Sequence, residues 1–388
     1  MSVYVPPRHV SHLVFWVILL TTIPQHDALV NWKGATQFRK FTQVKVFSTS
    51  SNNPPEVYPI PRRKIQQRLK EEAKALDPGL VEEGSAVRGT YTSIGWSNRI
   101  GTVLTPVALP GVYTADRPFY WNTIDVSCRM TVIKMNNGGL FVHSPVALDA
   151  SLKAAVDALG VVRHIVSPNY EHVKFAQQWA QAYPEAYMWT CPGLAEREPQ
   201  VKFTHEIPTG IRPSSFPGYS DQTMPDAMWD TQEIQPLHFD CEINPFTGRP
   251  FFNEVIFYHV PTRSLIMTDT YWNYPQADGV PNSVYQRFPT KQQDFGTWEL
   301  APKVDVPFKS LLWKFGMDQV YRPFYMNLMV GSNQQRKQKF EEIATFILKQ
   351  FDAQTLIPAH GDIVRGADFI RQILQEHFAV DLNKQQST

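Results

Sequence analysis

The chain has 388 residues, 43% hydrophobic and 19% charged, which is enough apolar material for a large buried core and excludes a chain disordered throughout. Its 37 Lys plus Arg nearly cancel 36 Asp plus Glu, so there is no broad basic field for a nucleic-acid backbone, and nucleic acid is not an expected partner. The three cysteines, Cys128, Cys191 and Cys241, are odd in number and far apart, which argues against a disulfide framework or a CxxC metal knuckle and predicts buried, reduced thiols.

Residues 13–20 form an apolar run preceded by Arg8 and followed by Pro24. That is the layout of a signal-peptide core, short of the roughly 20 apolar residues that a spanning helix needs. Between Asp27 and Glu56 no acidic residue occurs, while Lys33, Arg39, Lys40 and Lys45 stand among Ser and Thr, the composition of a transit peptide. Together the two segments predict a bipartite plastid (chloroplast) presequence over residues 1–55, with secretion or mitochondrial import as the alternatives. The absence of any Asn-x-Ser/Thr acceptor weighs against a glycosylated secreted product. An N-terminal extension is expected over 56–109 and the main domain over 110–380.

Charged residues with Ile65, Leu69, Ala73 and Leu76 at helical spacing predict a short surface helix over 61–76, stopped by Asp77-Pro78-Gly79. Residues 80–125 read as a meandering entry into a sheet. Residues 131–135 and 140–143 read as a hairpin around Asn136-Asn137-Gly138-Gly139, because Asn-Gly tolerates the positive φ angles of tight turns. A helix follows through Leu148, Leu152, Ala155, Val156 and Leu159, with Gly160 as its stop. Then come a strand over 161–166, a helix through Phe175, Ala176, Trp179 and Ala180, and a strand over 187–190. Residues 205–250 are Pro-rich and resist assignment. Residues 253–259 and 264–268 read as a strand pair, 270–335 as a long aromatic-rich insertion, and Phe340, Ile343, Ala344, Ile347 and Phe351 as the stripe of another helix. A strand over 355–358 and a final helix through Phe369, Ile370, Ile373 and Leu374 close the domain. Strands separated by helices predict an α/β fold in which helices cover a sheet.

No GxSxG elbow, GxGxxG fingerprint or GxxxxGK[ST] loop is present, which removes the usual signals of a serine hydrolase, a dinucleotide enzyme and a nucleotide hydrolase. What remains is polar residues at strand ends: His172, Asp269 and His360 each follow an apolar strand, where an α/β sheet presents side chains to a shared crevice. Imidazole and carboxylate suit zinc or iron, whereas a helix or turn cap is the plainer reading of each residue taken alone. His143 and Ser144 read as structural hydrogen-bonding groups rather than a nucleophile pair. His238, Asp240 and Glu242 alternate as on one strand face, either a cation site or a solvated edge. The aromatic stretch with Lys309, Lys314 and Arg322 reads as a lid or packing insertion, or as a peripheral membrane contact through residues 309–326.

Arg117-Pro118-Phe119, Arg129-Met130-Thr131, the run from Gly139 to Pro145, the run from Arg163 to Asn169 and Pro358-Ala359-His360-Gly361-Asp362 resemble the family filed as domain of unknown function 4336. That family is grouped with the metallo-β-lactamase-like proteins, and the resemblance spans roughly residues 110–375. It implies an α+β sandwich, a metallo-β-lactamase-like αββα fold, here with the 270–335 insertion. By position, His172 then matches the last histidine of the superfamily's first motif, Asp269 its bridging aspartate and His360 its C-terminal histidine. Glu254 lies where a further histidine is usual. The departure is plain: Ser167-Pro168-Asn169-Tyr170-Glu171-His172 replaces His-x-His-x-Asp-His, and none of the 11 histidines forms a His-x-His pair. The resemblance therefore implies at most a single zinc, iron or manganese ion on His172, Glu254, Asp269 and His360. The activity it would support is hydrolysis of a small-molecule ester, thioester or lactone. The alternative is a non-catalytic relative serving as a scaffold or assembly factor.

Overall fold

The computed structural model describes residues 103–382, apart from 109–110, 118, 122–123, 220–223, 275–307, 362 and 381. The presequence, the helix expected over 61–76 and the 275–307 part of the insertion lie outside the described residues.

Two sheets stack face to face. The first has seven strands in the order β1-β2-β5-β6-β7-β8-β9: β1 Thr105–Ala108, β2 Val112–Arg117, β5 Cys128–Lys134, β6 Gly139–His143, β7 Val161–Ser167, β8 Tyr187–Thr190 and β9 His205–Glu206. A small ribbon, β3 Tyr120–Trp121 with β4 Ile124–Asp125, lies between β2 and β5 in the chain. The second sheet runs β10-β11-β12-β13-β14: β10 Ile234–His238, β11 Val255–His259, β12 Ser264–Met267, β13 Thr355–Pro358 and β14 Val364–Arg365. The first sheet already begins at Thr105, within the stretch read as an extension, because β1 pairs antiparallel with β2.

The β5–β6 hairpin forms as its sequence dictates. Gly138 takes φ +82°, its N–H donates to the Met135 carbonyl at 2.8 Å, and Asn137 Oδ1 accepts from the Gly139 N–H at 2.9 Å. After β6 the pairing turns parallel, β6 to β7 and β7 to β8, and each crossover carries a helix: α1 Ala150–Leu159, then α2 Ala176–Ala182. Asp149 caps α1, its side chain accepting from Leu152 N, and Gly160 follows its last residue. A single turn, α3 Leu194–Arg197, follows β8.

Three apolar clusters define the layers. Leu152, Val156 and Trp179 pack α1 and α2 onto the outer face of the first sheet. Phe141, Val166 and Trp189 of that sheet meet Val255, Phe257, Ile266 and Ile357 of the second across the interior. The outer face of the second sheet is covered by α5 Gln334–Gln350 and α6 Ala367–Phe378, through Phe340, Ile343, Ile347, Phe369 and Ile373. Helix, sheet, sheet and helix thus form the αββα sandwich expected from the sequence.

Two stretches that resisted assignment resolve. Residues 205–250 supply β9 and β10, and β10 escaped notice because Pro236 interrupts it while both ends are buried. The described end of the insertion is helical: α4 Phe308–Gly316 runs into π-helical Met317–Tyr321, a turn Arg322–Phe324 and π-helical Tyr325–Val330. Among the described residues no helix is long and apolar enough to cross a membrane. The His238–Asp240–Glu242 face does not exist, since β10 ends at His238. His238 bonds Asn253 Oδ1 at 2.9 Å, Asp240 pairs with Arg212 and Lys339, and the buried Glu242 accepts from the Phe252 and Asn253 N–H groups at 2.6 Å. Neither a cation site nor a solvated edge describes them.

Candidate metal centre

The topology delivers three distant side chains to one end of the sandwich. β12 and β13 are parallel neighbours with Met267 opposite Pro358, so Asp269 and His360, each two residues beyond, emerge side by side. His172 comes from the loop after β7, in the other sheet. That loop is drawn over to the second sheet by Tyr170 N–H donating to Phe252 O at 3.0 Å and Val255 N–H donating to Pro168 O at 2.9 Å.

His172 Nε2 stands 3.1 Å from His360 Nε2 and 3.2 Å from Asp269 Oδ2, and His360 Nε2 lies 3.3 Å from Asp269 Oδ1. The three offer donor atoms all within 4.8 Å of one another. Their far sides are held. His360 Nδ1 faces the carbonyl oxygens of Ser127 at 2.9 Å and Val126 at 3.1 Å, which fixes its proton there and leaves the Nε2 lone pair directed at the cluster. His172 Nδ1 is 2.6 Å from Ser144 Oγ. Asn169 Nδ2 donates to Asp269 Oδ2 at 2.6 Å, while its Oδ1 accepts from His172 N at 2.8 Å, so one amide sets two members of the trio. Arg129 forks onto Asp116 at 2.8 and 2.9 Å and donates to Pro358 O at 2.6 Å, tying the first sheet to the strand that carries His360.

Two imidazole nitrogens and a carboxylate, converging with the outer nitrogen of each ring bonded, fit a divalent transition metal through borderline N and O donors. Without an ion the trio behaves as a charged pair, and a metal has to displace the proton that this pairing stabilises. Burial alone would raise the Asp269 carboxyl, but the adjacent His172 and His360 hold it well below the usual carboxylate range. Burial opposes charge on His172, yet Asp269, with Cys128 contributing, raises it well above an ordinary histidine.

Glu254 is not part of this cluster, contrary to the expectation from its position. It is fully buried, and its two oxygens accept from the backbone N–H groups of Thr268 at 2.5 Å, Asp269 at 2.8 Å and Thr270 at 2.7 Å. It anchors the turn that presents Asp269; burial and the nearby Asp269 charge push its carboxyl up to about 7. Ser144 does the structural bonding expected of it, whereas the buried ring of His143 has no hydrogen-bond partner on either nitrogen among the described residues. All three cysteines are free and buried.

The cluster opens into a cavity of about 220 Å³. Phe119, Phe175, Phe251, Trp313 and Tyr321 supply aromatic wall, and Glu171 and Lys174 are its remaining charged side chains among the described residues. Trp313, Met317 and Tyr321 make the described end of the insertion part of that wall. Sequence reasoning missed Glu171, Asn169, Ser144 and Arg129 as site residues. The first two lie inside the segment quoted for His172, so proximity in sequence was an available signal; Arg129 and Ser144 stand in segments that carry the family resemblance, but nothing in their spacing ties them to His172 or His360.

A comparison with family models decides the sequence resemblance. Residues 111–293 match the family described as Domain of unknown function (DUF4336). The DUF4336 match takes in His172, Glu254 and Asp269 but stops short of His360, a narrower span than 110–375. No curated protein matches the chain. Among solved structures, a metallo-β-lactamase from Hirschia baltica aligns at 9% identity, covering 69% of this chain and 93% of that one, with a TM-score of 0.38. The metallo-β-lactamase FIM-1 from Pseudomonas aeruginosa, in its mono-zinc form, aligns at 10% identity over 70% of this chain and 94% of that one, TM-score 0.37. A putative diflavin flavoprotein from Nostoc sp. PCC 7120 aligns at 10% identity over 71% and 94%, TM-score 0.42.

Proposed function

We propose that the chain is a mononuclear metal-dependent hydrolase of a small ester, thioester or lactone, working in a plastid. The observation that carries this reading is the convergence of His172, Asp269 and His360 beside a cavity, the outer nitrogen of each histidine already bonded and Asp269 Oδ2 fixed by Asn169. When bound, a zinc, iron or manganese ion supplies Lewis acidity and a water of lowered pKa. His172, Asp269 and His360 would hold that ion, leaving a coordination position open as in sites with three protein ligands. Asn169, Ser144 and the Val126–Ser127 carbonyls orient those ligands, and the aromatic wall excludes bulk water and packs an apolar substrate body.

Elemental analysis of protein purified without added metal tests the reading. About one equivalent is expected, with loss of most of it in His360→Ala and Asp269→Ala; a stoichiometry well below one, unchanged by either substitution, removes the metal and the hydrolase with it. For the address, residues 1–60 fused to a fluorescent reporter should enter the plastid of an alga with a complex plastid, and retention in the secretory pathway would overturn that part.

A second reading has its own observation. Leu312, Phe315 and Leu328 are exposed on the same helical segment that walls the cavity, and the exposed Phe246 stacks on Phe324. A peripheral membrane contact through residues 309–326 would cover them, the chain then acting as a scaffold or assembly factor. Lys314 and Arg322 give this limited electrostatic support, being engaged by Asp318 and by the Glu376 and His377 carbonyls. Co-sedimentation with plastid-lipid vesicles should fall when Leu312 and Phe315 become Ser; identical partitioning would dismiss it.

A further inference from the structure

The cavity is polarised along its depth. At its base stand Asp269 and Glu171, and no Lys or Arg lines it among the described residues except Lys174. Lys174 is exposed, two residues past His172, and its ammonium rests 4.6 Å from the ring centroid of Phe119 and 5.5 Å from that of Phe175. These rings meet edge to face at 6.5 Å and form the aromatic wall on that side. Lys174 has no carboxylate partner among the described residues, where its ammonium rests on the two ring faces. A cation on an exposed aromatic face gains only about 0.5–1 kcal/mol and keeps its N–H donors free for an anion. An anionic group on a ligand is attracted to that ammonium at the rim, where no carboxylate of the described residues competes for it. The volume, about 220 Å³, equals that of about seven waters at roughly 30 Å³ each, room for one ring or a short acyl chain.

We infer that the cavity takes a small amphiphilic substrate: an apolar or aryl body between the aromatic walls, its neutral carbonyl end at the base, and an anionic group at the rim bound by Lys174. This deepens the hydrolase reading and rests on it only for what happens at the base. The anion's chemistry, carboxylate or phosphate, is shared by both sources and is separated by the test.

Isothermal titration calorimetry of the full mature chain with 3-phenylpropanoate and its isosteric neutral amide, 3-phenylpropanamide, reads the preference for charge. The acid should bind about five-fold more tightly at low ionic strength, as for an ion pair at a partly exposed rim, and the gap should shrink with added salt. Lys174→Gln should abolish the preference, and His360→Ala should leave it. Phenyl phosphate as a third ligand shows which anion is favoured, and Lys174→Gln must weaken the tighter one. Equal binding of acid and amide, no binding of any of the three ligands, or a preference that survives Lys174→Gln overturns the inference; if that surviving preference is lost in His360→Ala, the anion sits at the base instead. Metal content measured on the same samples keeps the two readings apart, since a metal-free chain that retains a Lys174-dependent preference sinks the hydrolase and leaves the rim site standing.

Discussion

Ser144 holds the Nδ1 of His172 at 2.6 Å from a left-handed backbone conformation, φ 54°, unusual for a residue other than glycine. Such local strain persists where the surroundings over-determine it, here through Ser144 N–H donating to Val166 O at 3.0 Å. Removing the hydroxyl frees the imidazole without touching a ligand. Ser144→Ala should lower metal affinity about 10–100-fold while the fold survives, as outer-shell substitutions do. Competition with a chromophoric chelator measures it, and unchanged affinity would show that His172 is oriented by its loop alone. Glu254→Gln acts on stability. It turns an amide N–H₂ toward N–H donors at a site that is fully buried, at a cost of about 1–3 kcal/mol in urea unfolding of the metal-free protein. Glu254 stands out in the sequence only through the family resemblance, at the place where a further histidine is usual. The sequence could not reveal that three N–H groups of the following turn already occupy that carboxylate.

At the scale of elements, the β12–β13 pair and the turns beyond it set the spacing of Asp269 and His360. Ala359 N–H donates to Met267 O at 2.8 Å and Asn273 N–H to His360 O at 3.0 Å, so backbone closes tightly around the ligands. Gly361 lies where φ is +88° and a Cβ would come within 2.1 Å of Asn273 O. Gly361→Ala should therefore cost about 1–3 kcal/mol for the backbone alone, more for the collision, and displace His360. A lower Tm together with reduced metal content is expected; a Tm equal to that of the parent would mean the turn relaxes freely. The hairpin, the crossover helices α1 and α2, and β13 were legible because turn chemistry and apolar periodicity agree there. β10 and the π-helical segments were not. Pro236 and burial at both strand ends erase the alternation that marks a half-exposed strand, and a π-helix has no spacing that separates it from an α-helix in sequence.

At the scale of the whole molecule, burial holds five histidines below the ordinary value of 6.5: His143 and His377 down to about 3, and His164, His238 and His259 down to about 4. Between about pH 6.5 and those values the unfolded chain binds protons that these rings refuse in the folded state, so stability falls as pH falls. Glu171, Glu242 and Glu254, raised to about 7 by burial, act in the opposite sense between 7 and 4.5, and their contribution is complete below that. Burial raises Glu233 as well, so five histidines stand against four carboxyls and the net is a loss: the Tm of the metal-free protein should drop as pH is lowered from 6.5 to 4, most steeply below 4.5. A Tm that is flat or rises over that range would show these rings to be solvated. The layered architecture was readable from the order of strands and helices, and three of the four expected ligands do converge. The supporting shell was not readable, because Arg129 and Pro358 stand 229 residues apart and nothing local links them.

His172 and His360 are separated by 188 positions along the chain and belong to opposite halves of the sandwich. An ion shared between them is a reversible cross-link spanning the seam of the two sheets, and any occupant that favours the folded chain adds stability as its free concentration exceeds its dissociation constant, about 2.7 kcal/mol at a hundredfold excess. Chelation should then lower the melting temperature and speed amide exchange first along β7 and β12, where the halves are stapled. Metal supply would in that case govern how long the protein lasts as well as whether it works.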